Sequence, residues 1–298
     1  MRPARLRLIR AWAVLLGSGT AWGATQLCSK IAVSTGHPPL GLVLWQTAIG
    51  VVLLGVVLVI GRHRLPLGRG ALMFYAVCAV LGTALPHSLS FTAIAHLPVG
   101  VVSILIATVP MMTLSLSWAL GLDRAGPRRV LGLLLGAGSV LLLIAPEASL
   151  PKPGQALWAL VYLVVALSYA AENVVIARYQ PTSTGAVAVL FGLSLGALAM
   201  LLPLVAATGA WLPLTAFGPA EQALLTGSVL HIAAYLGLIW LIADAGPVFA
   251  AQIGYVVTLS GVGLGMLVLD EAHATWIWFA LLLMLAGISL VRPRSKSI

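Results

Sequence analysis

Two charged side chains, Glu172 and Lys30, lie well inside long apolar runs of the chain. Charge at the centre of an apolar membrane helix costs about 2.5–3.5 kcal/mol, so an ionisable residue held there is a candidate for chemistry. A carboxyl in that setting can carry a proton or bind an ammonium group. At the helical rise per residue, Glu172 sits roughly 9 Å from the centre of its run and Lys30 roughly 12 Å from the centre of its own, on opposite sides. The two are therefore not expected to pair. Lys30 is long enough to reach polar surroundings and is assigned a structural role. Arg178, six residues from Glu172, does not share its helix face.

Rings and amides recur around this carboxyl at helical spacing. Trp22 and Gln26 are four apart, as are Tyr169 and Asn173. Each pair places an aromatic surface and an amide on one helix face, which suits a solute with an apolar body and a polar end. His231 and Tyr235 are also four apart, and Gln252 and Tyr255 three apart. The expected binding set is Trp22, Gln26, Tyr169, Glu172, Asn173, His231, Tyr235, Gln252 and Tyr255. Glu172, His87 and His231 are the candidates for proton transfer. His96 falls at a hinge between two apolar runs and is expected to face solvent.

Other chemistries find no support. No phosphate-binding loop, dinucleotide fingerprint, paired-His metalloprotease motif or Ser/His/Asp arrangement occurs in a credible setting. No two histidines share metal-ligand spacing, so neither a metal nor another cofactor is expected. Cys28 and Cys78 both lie in apolar runs and read as packing residues. Without a nucleotide site the chain is no primary pump. Any driving force must come from a proton, a counter-substrate or the solute's own gradient.

Composition gives these residues their surroundings. Of 298 residues, 61% are hydrophobic and 8% charged, whereas a soluble domain has about 25% charged residues. A soluble domain and a disordered chain are both excluded. The formal net charge of +9 does not mark a nucleic-acid binder, because the basic residues sit in short clusters between apolar runs.

Runs long enough to cross a bilayer as helices fall at about 11–34, 40–60, 71–94, 97–120, 129–145, 155–178, 185–207, 222–243, 247–268 and 275–291. The expected fold is thus all-α, with ten transmembrane helices. Pro98 and Pro247 suit the first turn of a helix, whereas Pro86, Pro110 and Pro203 fall inside runs and are expected to kink them. Gly132/Gly136, Gly192/Gly196 and Gly261/Gly265 read as close-packing pairs. Ten spans put fourteen of the sixteen Lys and Arg residues on one side, with Lys152 and Lys30 left over. By the positive-inside rule, both termini are cytoplasmic. The Arg-rich start could also open a signal peptide, but the internal partner of the first run argues that it is retained.

The two halves, 1–150 and 151–298, echo each other at an offset of 147 to 149 residues. Trp22-Gly23-Ala24-Thr25-Gln26 stands opposite Tyr169-Ala170-Ala171-Glu172-Asn173. Pro98 stands opposite Pro247, Leu120-Gly121-Leu122-Asp123 opposite Leu267 to Glu271, and Ala137-Gly138 opposite Ala286-Gly287. Five spans per half is odd, so the second half must enter the membrane inverted, as in secondary transporters with a midplane site. Five plus five spans, a Pro-started fourth helix and an acidic step before an apolar helix with Ala-Gly resemble the EamA-type branch of the drug/metabolite transporter superfamily.

That resemblance implies a multi-pass inner-membrane carrier, usually an exporter of amino acids, metabolites or drugs. The expected partners are a small-molecule substrate and the lipid bilayer, with a proton or counter-substrate for coupling, in a monomer or homodimer. Asp123 departs from the family's usual Glu. A flippase for a lipid-linked substrate is the alternative, and an intramembrane enzyme is less favoured for want of a nucleophile or metal cluster. Reporter fusions test the topology. Green fluorescent protein should fluoresce at both termini, and an active alkaline phosphatase fusion at either end would overturn the assignment.

Overall fold

The computed structural model describes residues 2–122, 126–144, 154–181, 185–212, 217–245 and 253–290. Gln252, Asp123, Arg124, Lys152, Pro247, Arg292, Arg294 and Lys296 lie outside the described residues. Among those described there are ten successive helical rods and no strand. They are α1 Arg2–Ser34, α2 Pro39–Ile60, α3 Arg69–Ile94, α4 Val99–Ala119, α5 Pro127–Ile144, α6 Gln155–Tyr179, α7 Ala186–Thr208, α8 Pro219–Ala245, α9 Ile253–Leu269 and α10 Thr275–Leu290. Six segments are long and apolar enough to cross a membrane: α2, α3, α4, α6, α7 and Pro219–Leu241 of α8. α9 and α10 are shorter apolar helices. Trp12, Trp211, Trp276 and Trp278 are exposed, as anchors at a lipid–water boundary would be.

Two rods depart from a regular helix, and each does so beside a proline expected to kink its run. In α3 the backbone passes through a π-helical turn at Val80–Ala84, just before Pro86. In α4 the helix breaks between Ile106 and Val109, with Pro110 opening the second piece. Pro203 is accommodated inside α7 without a break.

The main contacts run between the halves of the chain. α1 packs on α8 and α9, α6 on α3 and α4, α2 on α7 and α8, α3 on α7, α4 on α9 and α5 on α10. Exchanging each helix with the one five places away maps this set onto itself. Two end contacts obey the same exchange. Arg7 at the start of α1 pairs with Asp244 at the end of α8, Nε to Oδ2 3.1 Å. At the start of α6, Gln155 donates to the carbonyl of His96 just beyond α3 (2.7 Å). His96 is exposed as expected, but it also stacks on Trp158 at 4.1 Å between ring centroids.

Glycines allow this close approach. A side chain on Gly192 would collide with Tyr75, one on Gly136 with Met111, and one on Gly261 with Ser103. The expected glycine pairs therefore mark helix contacts.

The first piece of α4, Val99–Ile106, is the most enclosed element; every residue from Val99 to Leu105 is buried. A buried helix start leaves N–H groups that need acceptors. Glu271 supplies them, its Oε1 accepting from the Val99 N–H (2.6 Å) and its Oε2 from the Gly100 N–H (3.1 Å). At the end of α3 the reverse need is met by Lys30, whose Nζ donates to the carbonyls of Ile94 (2.7 Å), Ala95 (3.0 Å) and Leu97 (2.9 Å). Its structural role is thus a helix C-cap, where a cation also complements the helix dipole.

His273 sits beside the Glu271 cap, with a side-chain exposure of 1% and Nε2 3.8 Å from the Glu271 carboxylate. Burial pushes its imidazole pKa down, against the pull of Glu271. Two expectations follow. Glu271→Ala should cost about 1–2 kcal/mol and lower the melting temperature by a few degrees, with Glu271→Gln intermediate. Because the unfolded chain binds the His273 proton more readily, stability should fall as pH drops below the ordinary histidine value of about 6.5. Melting curves from pH 7 to 5 should show this decline, and His273→Asn should flatten it.

Candidate functional site

Pro86 sets the geometry of the site. Having no N–H, it cannot continue the hydrogen-bond ladder of α3, and the preceding turn widens so that the Leu85 N–H donates five residues back, to Val80. In that register the carbonyl left over is that of Leu81. Ser168 of α6 donates its hydroxyl to it at 2.7 Å. Glu172 lies one helical turn further along α6 on the same face, and its carboxyl rests against Gly82. Any side chain at Gly82 would overlap that carboxyl.

Glu172 is only 8% exposed, yet no cation or hydrogen-bond donor pairs with it among the described residues. Arg178 does not reach it and lies 5.5 Å over the ring of Tyr179 instead. Tyr169, Tyr235 and Cys78 are within electrostatic reach of the carboxyl.

Glu172 faces a half-open cavity of about 510 Å³ lined by helices from both halves, a size typical of small-molecule sites. Trp22, Gln26, Tyr169, Asn173, His231, Tyr235 and His87 all line it. Their rings form a connected group. Trp22 meets Tyr235 edge-on at 5.7 Å and His231 at 6.3 Å; His87 lies 6.1 Å from His231 and 6.3 Å from Tyr169. The Tyr162 hydroxyl donates to Gln26 Oε1 (3.1 Å), and Ser90 donates to Tyr162 (3.3 Å). Asn173 Nδ2 donates to Thr113 across to α4 (3.3 Å). The broken turn of α4 contributes Ile106, Ala107, Val109 and Pro110 to the wall.

Tyr255 departs from expectation: it is absent from the lining and packs against the main apolar core. Its spacing from Gln252 did not carry it to the cavity, because α9 turns that face toward neighbouring helices.

Several lining residues escaped the sequence reading. Tyr162 is seven residues before Tyr169, two turns along the same face of α6, and that spacing was the available signal. Gln46 and Thr47 of α2 offered no comparable signal. Gln46 Oε1, Thr47 Oγ1 and His87 Nδ1 are buried without hydrogen-bond partners among the described residues. Neither Lys nor Arg lines the cavity, and Glu172 is its one carboxylate among the described residues.

An all-helical bundle of apolar segments, with a mainly apolar cavity between its halves that holds a few rings, amides and one carboxyl, is the architecture of a multi-pass membrane protein. Residues 10–145 match the model of the EamA-like transporter family, part of the drug/metabolite transporter superfamily, and the expected resemblance is borne out over that segment. Members of that family are transporters, and the match covers 136 of the 298 residues. No curated protein matches it in sequence. One solved structure, described as the crystal structure of a protein, shares the fold with a TM-score of 0.63 at 18% identity, covering 94% of this chain and 96% of its own.

The fit between Glu172 and Gly82 is open to test. Gly82→Ala displaces only the end of a flexible side chain, so the melting temperature should stay within a few degrees of wild type. Solute binding at the cavity should weaken about tenfold, equivalent to about 1.4 kcal/mol. Unchanged binding would show that the seat of the carboxyl is irrelevant.

Proposed function

We propose that the protein is a secondary-active transporter that exports small organic solutes by alternating access across the inner membrane. The carrying observation is a solute-sized cavity, built from both halves of the chain, into which one buried, unpaired carboxyl projects. A half-open pocket lined by rings, amides and hydroxyls suits a solute held between the two halves and released by movement of one against the other.

The inverted repeat of 1–150 and 151–298 belongs to the same proposal. It is supported by a contact set that survives exchange of the halves. The cavity rings carry the same relation: Trp22 touches Tyr235, and 147 and 148 residues away respectively Tyr169 touches His87. Ten spans then place both termini on the cytoplasmic side, where the basic residues cluster. The broken α4 and the π-turn of α3 are points about which such a movement can hinge.

For coupling, Glu172 is the proposed proton carrier. His87, His231, Tyr169, Tyr235 and Cys78 are the titratable groups around it. Purified protein in liposomes should carry amphipathic metabolites or drugs faster than empty vesicles, and the rate should depend on pH. Glu172→Gln should flatten that dependence, and Trp22→Ala should slow the flux at least several-fold. If no solute crosses faster than in empty vesicles, the carrier reading falls. If the pH dependence survives Glu172→Gln, Glu172 is not the proton carrier.

A further inference from the structure

We propose that the solute held at Glu172 is a monovalent organic cation with an aromatic or otherwise apolar body, a refinement that rests on the carrier reading above. The first observation is charge. A carboxylate enclosed in apolar surroundings needs a counter-charge, and the protein supplies none: neither Lys nor Arg lines the cavity, and no cation pairs with Glu172 among the described residues. The other side-chain donors lining the cavity are hydroxyls, amides, the Trp22 indole and the imidazoles of His87 and His231. A bound cation completes the pair, and the one carboxylate in the described lining balances one such charge.

The second observation is the ring surface. Trp22 and Tyr235 meet edge-on at 5.7 Å, and Tyr169 stands on the same helix as Glu172, three residues before it. Indole and phenol faces attract a desolvated cation and pack against the apolar body that carries it. The third is shape. At Gly82 the wall has no side chain, and the carboxyl fills that space, so the volume between the rings is left for the ligand.

The same inventory argues against other charge types. An anion would meet Glu172 with neither Lys nor Arg in the lining to compensate. A zwitterionic amino acid would satisfy Glu172 with its ammonium and leave its own carboxylate with neither Lys nor Arg to pair with in the lining. An amine or quaternary ammonium without that carboxylate fits better, so the charge pattern selects cations over amino acids of the same body.

Three probes sharing one ring body separate these cases: trimethyl(2-phenylethyl)ammonium, 2-phenylethanol and phenylalanine. Calorimetry on purified protein and flux into liposomes should show the ammonium binding and crossing at least tenfold more strongly than either of the others. Glu172→Gln, near in shape to the native side chain, should lose that preference at least tenfold while melting normally. Gly82→Ala should weaken ammonium binding with the fold intact. Equal or better handling of phenylalanine or phenylethanol would overturn the cation assignment, as would undiminished ammonium binding by Glu172→Gln or no ammonium binding at all. In each of those cases the carrier reading stands or falls separately, on whether a wider set of metabolites crosses.

Discussion

A backbone carbonyl that loses its helical partner in apolar surroundings must find another donor, and the site depends on one such exchange. Pro86 cannot donate to the turn before it, α3 widens, and Ser168 of α6 takes the hydroxyl bond to Leu81. That bond fixes the register of α6 against α3. One turn further along α6, the Glu172 carboxyl meets the bare backbone of Gly82. A regular α3 would present a different set of residues to α6, and the carboxyl would have no seat.

The same rule shapes the rest of the bundle. α4 begins deep among other helices and can do so because Glu271 accepts its first N–H groups. α3 ends beside α1 because Lys30 donates to its last carbonyls. Of the two ionisable residues first singled out, one is consumed by the architecture and the other has no partner among the described residues. That contrast is the ground on which a functional role is proposed for Glu172: a buried ionisable group in a membrane helix is costly unless it serves a purpose beyond the fold.

Much of the cavity was legible from helical spacing. Trp22 with Gln26, Tyr169 with Asn173, and His231 with Tyr235 each sit four apart, and all six line it. Helical spacing is informative there because a polar or aromatic pair on one face of an apolar helix must turn toward something other than lipid. It failed at Tyr255 because a tyrosine can also pack in a core. Tyr162 was passed over despite its seven-residue spacing to Tyr169, and Gly82 carries no side-chain signal at all. Its importance lies in the absence of atoms where another helix delivers a carboxyl.

The amino-acid sequence determined by itself that this chain belongs in a membrane, where its apolar runs begin and end, and which few polar side chains lie inside them. Those properties are local: they follow from hydropathy along the chain, from helix periodicity and from proline chemistry. Only the tertiary structure decided which faces meet. These helices are apolar nearly all round, so no polar stripe marks an outward face, and each rod's rotation is set by contacts with helices remote in the chain. The seating of Glu172 against Gly82, 90 residues away, is of that second kind.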